Sequence, residues 1–193
     1  MSSNRVPAPI SIAHIGLRTR NAEKLVAFYQ NLLGARVVLA NDYISVLTWD
    51  EEHHRLAIIH DATAVPKQSN SSGVDPIALK FASVRDLVQV YRQAKDTGIV
   101  PDRCINHGVS TSLYYADPDG NKIDALIEAY DDPEDVQRHM GSLNAADIRV
   151  VKFDPEELRR RDEAGEDDES LRGAGLLGPP PTGIPTSAIF AGR

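Results

Sequence analysis

Hydrophobic and polar residues follow strand and helix periods through the first 60 positions of the chain. Residues 10–17 alternate as a strand does, and Asn21 offers a side-chain oxygen that can cap a helix beginning at Ala22. Gly34 tolerates a positive φ, which suits the end of that helix. Three strand-like runs come next: Arg36 to Ala40, Tyr43 to Trp49 and His54 to His60. The pattern therefore predicts one βαβββ module.

The same order of elements repeats in the next part of the chain. A predicted strand at Ile77 to Phe81 precedes Ser83 and Asp86, which have the spacing of a capping box, and an apolar helical stripe then ends near Gly98. Three further strands are predicted at Arg103 to His107, Ser110 to Ala116 and Asn121 to Ile127. The repeat predicts an α+β protein with two βαβββ modules, residues 9–62 and 74–130, joined by a linker at 63–73. We expect their sheets to form a curved, half-open barrel with a concave face for a ligand.

The residues outside the two modules have a different character. Residues 1–8 are predicted to be an N-terminal arm. Residues 131–170 are predicted to be a helical C-terminal extension, with short polar helices at Pro133 to Met140 and Pro155 to Ala164. Residues 171–193 are rich in Gly and Pro, so we expect this tail to be disordered.

Composition narrows the classes of function. The formal net charge of -7, without a cluster of Lys and Arg, argues against nucleic-acid binding. No run of about 18 apolar residues and no signal-peptide pattern occurs, so we expect no membrane partner and a cytoplasmic location. Cys104 is the single cysteine, which excludes an intramolecular disulfide and fits a reducing compartment.

Four segments carry a more specific pattern: His14-Ile15-Gly16-Leu17, Glu51 to Ala57, Ile105 to Tyr115, and Asp117-Pro118-Asp119-Gly120-Asn121. In this order they resemble the vicinal oxygen chelate superfamily, which includes glyoxalases, bleomycin resistance proteins and extradiol dioxygenases. Within it, they are similar to the one-domain extradiol dioxygenases of the catechol and biphenyl-diol type. The resemblance covers about residues 10 to 170 and implies the two-module fold predicted above.

The resemblance also implies a cofactor, Fe(II), held by two histidines and one carboxylate. His14 falls on the first histidine of that pattern. Pro76 stands at the second histidine position and cannot ligate a metal, and neighbouring Asp75 points to the other strand face. Asp124 replaces the usual Glu. Glu128 is expected to point to the same strand face as Asp124, so Glu128 is a further candidate ligand. Because Pro76 removes a ligand, we do not expect an intact iron site.

The resemblance implies catalytic side chains besides the metal ligands. His107 falls on a histidine that donates to bound oxygen or substrate, and Tyr114 or Tyr115 falls near an active-site tyrosine. Strand parity turns only one of these tyrosines inward, and we favour Tyr115. A pocket with a histidine and a tyrosine can also carry acid–base chemistry without iron. The alternative is that His107 caps a turn and both tyrosines are core residues.

Other histidines form a second group in the first module. His54 and His60 share a predicted strand face, but six residues at strand rise separate them by roughly 20 Å, which is too far to hold one ion. We therefore interpret His53, His54 and His60 as surface or rim residues.

These residues leave three functional hypotheses open. The first is an extradiol-dioxygenase-like enzyme acting on a phenolic, aromatic or polyketide-type small molecule, with a degenerate metal site. The second is a metal-independent isomerase, cyclase or lyase, and the third is a non-catalytic small-molecule-binding protein. The modules can be completed within one chain or exchanged between two copies, so a homodimer is a candidate assembly.

Overall fold

The computed structural model describes residues 6–68, 70–142 and 150–172. The chain divides into two compact units, Met1–Pro66 and Lys67–Arg193. Each unit contains one βαβββ module, and the second also carries the helical extension. The predicted α+β class with two modules is therefore confirmed. No helix in these three ranges is long and apolar enough to cross a bilayer.

The first unit is a four-stranded sheet with one helix. Its elements are β1 (Ile15–Thr19), α1 (Ala22–Leu33), β2 (Arg36–Ala40), β3 (Ile44–Thr48) and β4 (Leu56–His60). The strands lie in the order β1-β4-β3-β2, in which β1 runs parallel to β4 and the other pairs are antiparallel. The parallel pairing follows from the helical connection after β1, which returns the chain to the sheet in the same direction.

Helix α1 forms where the sequence predicts it. The side chain of Asn21 accepts a hydrogen bond from the backbone N–H of Lys24, and Gly34 ends the helix with φ of 64°. One face of α1 is buried and packs against β3 and β4. The core residues on these elements are Leu25, Phe28, Tyr29, Leu32, Leu47, Leu56 and Ile58.

The second unit repeats this arrangement. Its module contains β5 (Ile77–Lys80), α2 (Val84–Asp96), β6 (Arg103–Asn106), β7 (Ser110–Ala116) and β8 (Lys122–Glu128). The strand order is β5-β8-β7-β6, again with the first strand parallel to the last. Ser83 caps α2 by accepting from the backbone N–H of Asp86, as the capping-box spacing predicts.

The extension packs onto the second module. It consists of α3 (Pro133–Ser142), β9 (Val151–Lys152), α4 (Pro155–Glu163) and α5 (Asp168–Arg172). Strand β9 pairs with β6 at the edge of the sheet, and α4 and α5 pack on α2. Tyr91 of α2 donates to Glu156 of α4 at 2.6 Å, and Glu156 also pairs with Lys95. The Asp168 carboxylate accepts from the backbone N–H of Val84 at 2.6 Å, which satisfies a free donor at the start of α2.

Three local predictions need correction. The first strand begins at Ile15, and Ile10 and Ile12, which alternate as a strand would, are exposed and outside it. Helix α5 and strand β9 were not predicted. Helix α5 includes the first two residues of the predicted disordered tail, and Leu171 in it is buried. The rest of that tail, residues 173–193, lies outside the described residues.

Candidate active site

The two faces of the second sheet have different chemistry because successive strand residues alternate. Tyr115 on β7 lies opposite Ile123 on β8, and both are fully buried. Burial raises the pKa of Tyr115, to which nearby Cys104 and Tyr91 of α2 also contribute. Tyr115 therefore belongs to the core under α2.

Tyr114 lies on the other face of the sheet. It stands opposite Asp124 on β8 and opposite Arg103 on β6. Ser112, two residues before it on β7, shares this face. We call the side chains of Arg103, His107, Ser112, Tyr114 and Asp124 the polar cluster.

The polar cluster is joined by hydrogen bonds. His107 Nε2 lies 2.9 Å from the Tyr114 hydroxyl. Tyr114 lies directly opposite Asp124 in the β7–β8 pair, and the Ser112 hydroxyl donates to Asp124 Oδ2 at 3.3 Å. His107 is held in a tight turn in which its backbone N–H donates to the carbonyl of Ser110 at 2.8 Å and Gly108 has φ of 80°. The result is two hydrogen-bonded pairs, His107 with Tyr114 and Ser112 with Asp124, on one face of the sheet.

This geometry corrects the expectation that Tyr115 faces inward. The structure brings Tyr114, and not Tyr115, to His107. The alternation itself was predicted, but the sequence does not reveal which parity faces the helices. The register decides this, because Tyr115 pairs with Ile123 on the apolar side.

Burial shifts the pKa of each titratable group in the polar cluster. It raises the pKa of Asp124 to about 6, although hydrogen bonds from Ser112 and Tyr114 and the charge of Arg103 oppose this rise. Burial and the Arg103 charge lower the pKa of His107, so its imidazole is neutral at pH 7. Burial and the Asp124 carboxylate raise the pKa of Tyr114. The cluster therefore combines a neutral imidazole with a carboxyl group that titrates near neutral pH, as acid–base chemistry requires.

Two atoms of the polar cluster have no hydrogen-bond partner among the described residues. They are Oδ1 of Asp124 and Nε of Arg103, and both are shielded from solvent. Asp124 as a whole is 5% exposed. The guanidinium carbon of Arg103 lies 4.7 Å from the centre of the Tyr114 ring. Sequence reasoning missed Arg103 and Ser112, although the parity of β7 and its pairing with β6 would have indicated both.

His14 lies in the other unit, one residue before β1. Its ring centre is 4.5 Å from that of His54, and the His53 ring is 4.3 Å from His54. Burial lowers the pKa of His54, and the charges of His53 and His14 lower it further. His60 is not part of this group, because its ring hydrogen-bonds to Ser45 at 2.9 Å and to the Asp42 carbonyl at 3.2 Å.

The contact between His14 and His54 was not predicted. It follows from the parallel pairing of β1 with β4, in which Ile15 lies opposite Leu56. His14 and His54, which precede these two strands, therefore come together. The sequence pattern compares His54 only with His60 on its own strand.

The residues of the second unit do not fit a ferrous centre. Ala78 lies opposite Asp124 in the parallel β5–β8 pair, and Pro76 directly precedes β5, which begins at Ile77. Proline supplies no ligand atom there. Glu128 ends β8 and pairs with Lys80, and four residues at strand rise separate it from Asp124 by about 13 Å. Across the described ranges, no group of three or more His, Cys, Asp or Glu side chains is arranged to hold a metal ion.

The fold and the sequence together define the class of protein. Residues 11–125 match the family described as "Glyoxalase/Bleomycin resistance protein/Dioxygenase superfamily". The chain belongs to this superfamily, which confirms the resemblance stated above.

Two curated relatives from Rhodococcus globerulus are similar over most of the chain. "Biphenyl-2,3-diol 1,2-dioxygenase 2" is 37% identical over 145 residues, which cover 74% of this chain and 76% of the relative. "Biphenyl-2,3-diol 1,2-dioxygenase 3" is 35% identical over 163 residues, which cover 83% and 86%. The chain is therefore extradiol-dioxygenase-like at the level of the family.

Two solved structures support the fold alone. The glyoxalase/bleomycin resistance protein/dioxygenase domain from Frankia sp. EAN1pec aligns with a TM-score of 0.54 at 13% identity, covering 63% of this chain and 93% of that one. The corresponding protein from Alicyclobacillus acidocaldarius aligns with a TM-score of 0.52 at 16% identity, covering 65% and 97%.

Proposed function

We propose that this protein is a dioxygenase-related enzyme that moves a proton on a phenolic or polyketide-type small molecule, with His107, Tyr114 and Asp124 as its catalytic residues. The observation that carries the proposal is the 2.9 Å contact between His107 Nε2 and the hydroxyl of Tyr114, the residue that lies directly opposite Asp124 in the β7–β8 pair. The relatives named for biphenyl-2,3-diol support a small aromatic molecule as the substrate class.

The proposed route for the proton runs from His107 through Tyr114 to Asp124, which lies opposite Tyr114 on β8. In this route Tyr114 passes its hydroxyl proton to the Asp124 carboxylate, and its oxygen accepts from His107 Nε2–H. The other ring nitrogen, Nδ1, makes no hydrogen bond to a described residue and carries the lone pair of the neutral imidazole. When a substrate O–H or activated C–H transfers its proton to Nδ1, the Nε2 proton passes to Tyr114 and the Tyr114 proton passes to Asp124.

This relay leaves an enolate or phenolate on the substrate and a protonated carboxyl at Asp124. Return of the proton at another substrate atom gives an isomer, and no electron leaves or enters. The pKa of Asp124, about 6, suits a group that takes and returns a proton near neutral pH.

The side chains available to bind a metal favour proton transfer over ring cleavage. Pro76 stands where the family resemblance implies a histidine ligand, and the described residues contain no group of three or more His, Cys, Asp or Glu side chains that could hold a metal ion. The proposed role of Asp124 is therefore proton transfer and not the binding of iron.

The test is exchange of substrate hydrogens with solvent deuterium, followed by proton NMR. The purified protein is treated with a chelator and incubated in D2O with a panel of enolisable phenols and 1,3-dicarbonyl compounds. We expect exchange above the protein-free rate, and we expect His107→Ala and Tyr114→Phe each to lower it at least about 100-fold, the usual contribution of a general acid or base. Tyr115→Phe is the matched control, because it removes the same atom from the opposite face.

A parallel assay tests the competing oxidative reaction. The protein is loaded with Fe(II) without oxygen and then mixed with catechol and 2,3-dihydroxybiphenyl in an oxygen electrode. Stoichiometric iron with rapid oxygen uptake that persists in His107→Ala would refute proton transfer as the main activity. Tight binding of panel compounds with no exchange would instead indicate a binding protein.

A further inference from the structure

Arg103 differs from the other half-buried arginines in the described part of the chain. Each of the others has a carboxylate within ion-pair distance, whereas Arg103 has none. These paired residues are Arg55, Arg159, Arg161 and Arg172. A partly buried guanidinium without an anion has lost hydration that nothing in the described chain replaces.

The position of Arg103 is fixed by the sheet and by an aromatic ring. It lies on β6 directly opposite Tyr114, and its guanidinium carbon is 4.7 Å from the centre of that ring. This cation–π contact holds the planar group without using its N–H donors. Nε is shielded from solvent and has no acceptor, and an unsatisfied buried donor costs roughly 1–3 kcal/mol.

Asp124 does not neutralise this charge. The two side chains form no ion pair within 4 Å, and Asp124 keeps Oδ1 without a hydrogen-bond partner in the described residues while being 5% exposed. The same face therefore offers an unpaired cation on β6 and an unpaired buried carboxyl oxygen on β8, with the His107–Tyr114 pair between them. An anion recognised by Arg103 and a hydroxyl that donates to Asp124 would satisfy both.

We propose that Arg103 binds the carboxylate of the substrate, so that the preferred ligands are hydroxylated aromatic carboxylic acids. The two Nη groups of a guanidinium can match the two oxygens of a carboxylate, which makes this the anion of choice over a single alkoxide oxygen. The overall charge of -7 disfavours anions in general, so the selectivity depends on this one residue. The inference rests on the proposed function only in placing the substrate at the polar cluster.

The test compares acids with neutral analogues of the same shape. Binding of the three hydroxybenzoate isomers and the three hydroxybenzamides is measured by isothermal titration calorimetry at pH 7.5, where the acids are ionised and the amides are not. We expect at least one hydroxybenzoate to bind about 10- to 100-fold more tightly than its amide, the range for a hydrogen-bonded charge. Arg103→Met should abolish that preference with little change for the amide, and Arg103→Lys should retain part of it.

The controls separate this inference from the proposed chemistry. Arg92→Met removes an exposed arginine of α2 and should leave the preference unchanged, and thermal melting verifies that each variant is folded. His107→Ala breaks the proton route but keeps Arg103, so a preference that persists in His107→Ala supports the carboxylate site even if no hydrogen exchange occurs. Equal binding of acids and amides by the unmodified protein, or equal loss of both in Arg103→Met, would overturn the inference.

Discussion

The adjacent tyrosines of β7 allow one oxygen atom to be removed from either face of the same sheet. The Tyr115 hydroxyl is buried and has no hydrogen-bond partner among the described residues. In the unfolded chain it is hydrated, so folding loses those hydrogen bonds at a cost of roughly 1–3 kcal/mol. Tyr115→Phe keeps the ring and removes this cost. We expect the free energy of unfolding to rise by about 0.5–2 kcal/mol.

Tyr114→Phe should have the opposite effect. Its hydroxyl hydrogen-bonds to His107, and the variant would leave that imidazole without this partner in a half-buried environment. We expect a loss of about 1–3 kcal/mol, so the two variants should differ by at least about 1.5 kcal/mol although their compositions are identical.

Urea unfolding followed by far-ultraviolet circular dichroism measures the difference. The midpoint should move up for Tyr115→Phe and down for Tyr114→Phe, with the same dependence on urea concentration in both. If both midpoints move in the same direction, or if Tyr115→Phe is the less stable variant, the assignment of the two faces is incorrect.

Three further predictions address charge and the extension. The pKa of Asp124 in the folded protein, about 6, lies above its value in the unfolded chain, so the free energy of unfolding should fall as pH rises from about 4 to 6. Linkage limits this fall to about 3 kcal/mol, and Asp124→Asn should remove it. Urea unfolding at several pH values measures the effect. Glu156→Gln should weaken the contact of α4 with α2 and speed proteolysis of the extension, whereas Glu157→Gln, which loses only an exposed pair on α4, should not. His14→Ala should raise the pKa of His54, because it removes a neighbouring positive charge, and an NMR titration showing no rise would contradict the observed ring contact.

Long periodic segments of the sequence predicted most of the fold. Asn21 and Ser83 place the starts of both module helices, because a side-chain cap is a local interaction. Helix α5 was missed because five polar-rich residues carry no periodic signal, and the contact of Asp168 with Val84 that fixes it is 84 positions distant in sequence. The start of β1 was misplaced for the converse reason, since alternation at Ile10 and Ile12 has no partner strand to pair with.

The candidate site was predictable only in part. His107, Tyr114 and Asp124 could be selected from the sequence, but their connection depends on the register between β7 and β8. A shift of one residue in that register would exchange Tyr114 for Tyr115, and no local pattern distinguishes the two cases. The lack of an ion-pair partner for Arg103 could not be predicted either, because it depends on residues that are close in space and distant in sequence.

Strand β9 protects one edge of the second sheet, so its loss would matter in a shortened protein. Val151 and Lys152 cover the outer hydrogen-bonding groups of Ile105 and Asn106 on β6. A protein truncated before residue 150 would leave that row of amides and carbonyls open to a neighbouring molecule, which is a common route to edge-to-edge aggregation. Two residues ending in an exposed lysine are thus enough to keep this border of the sheet from serving as a template for another chain.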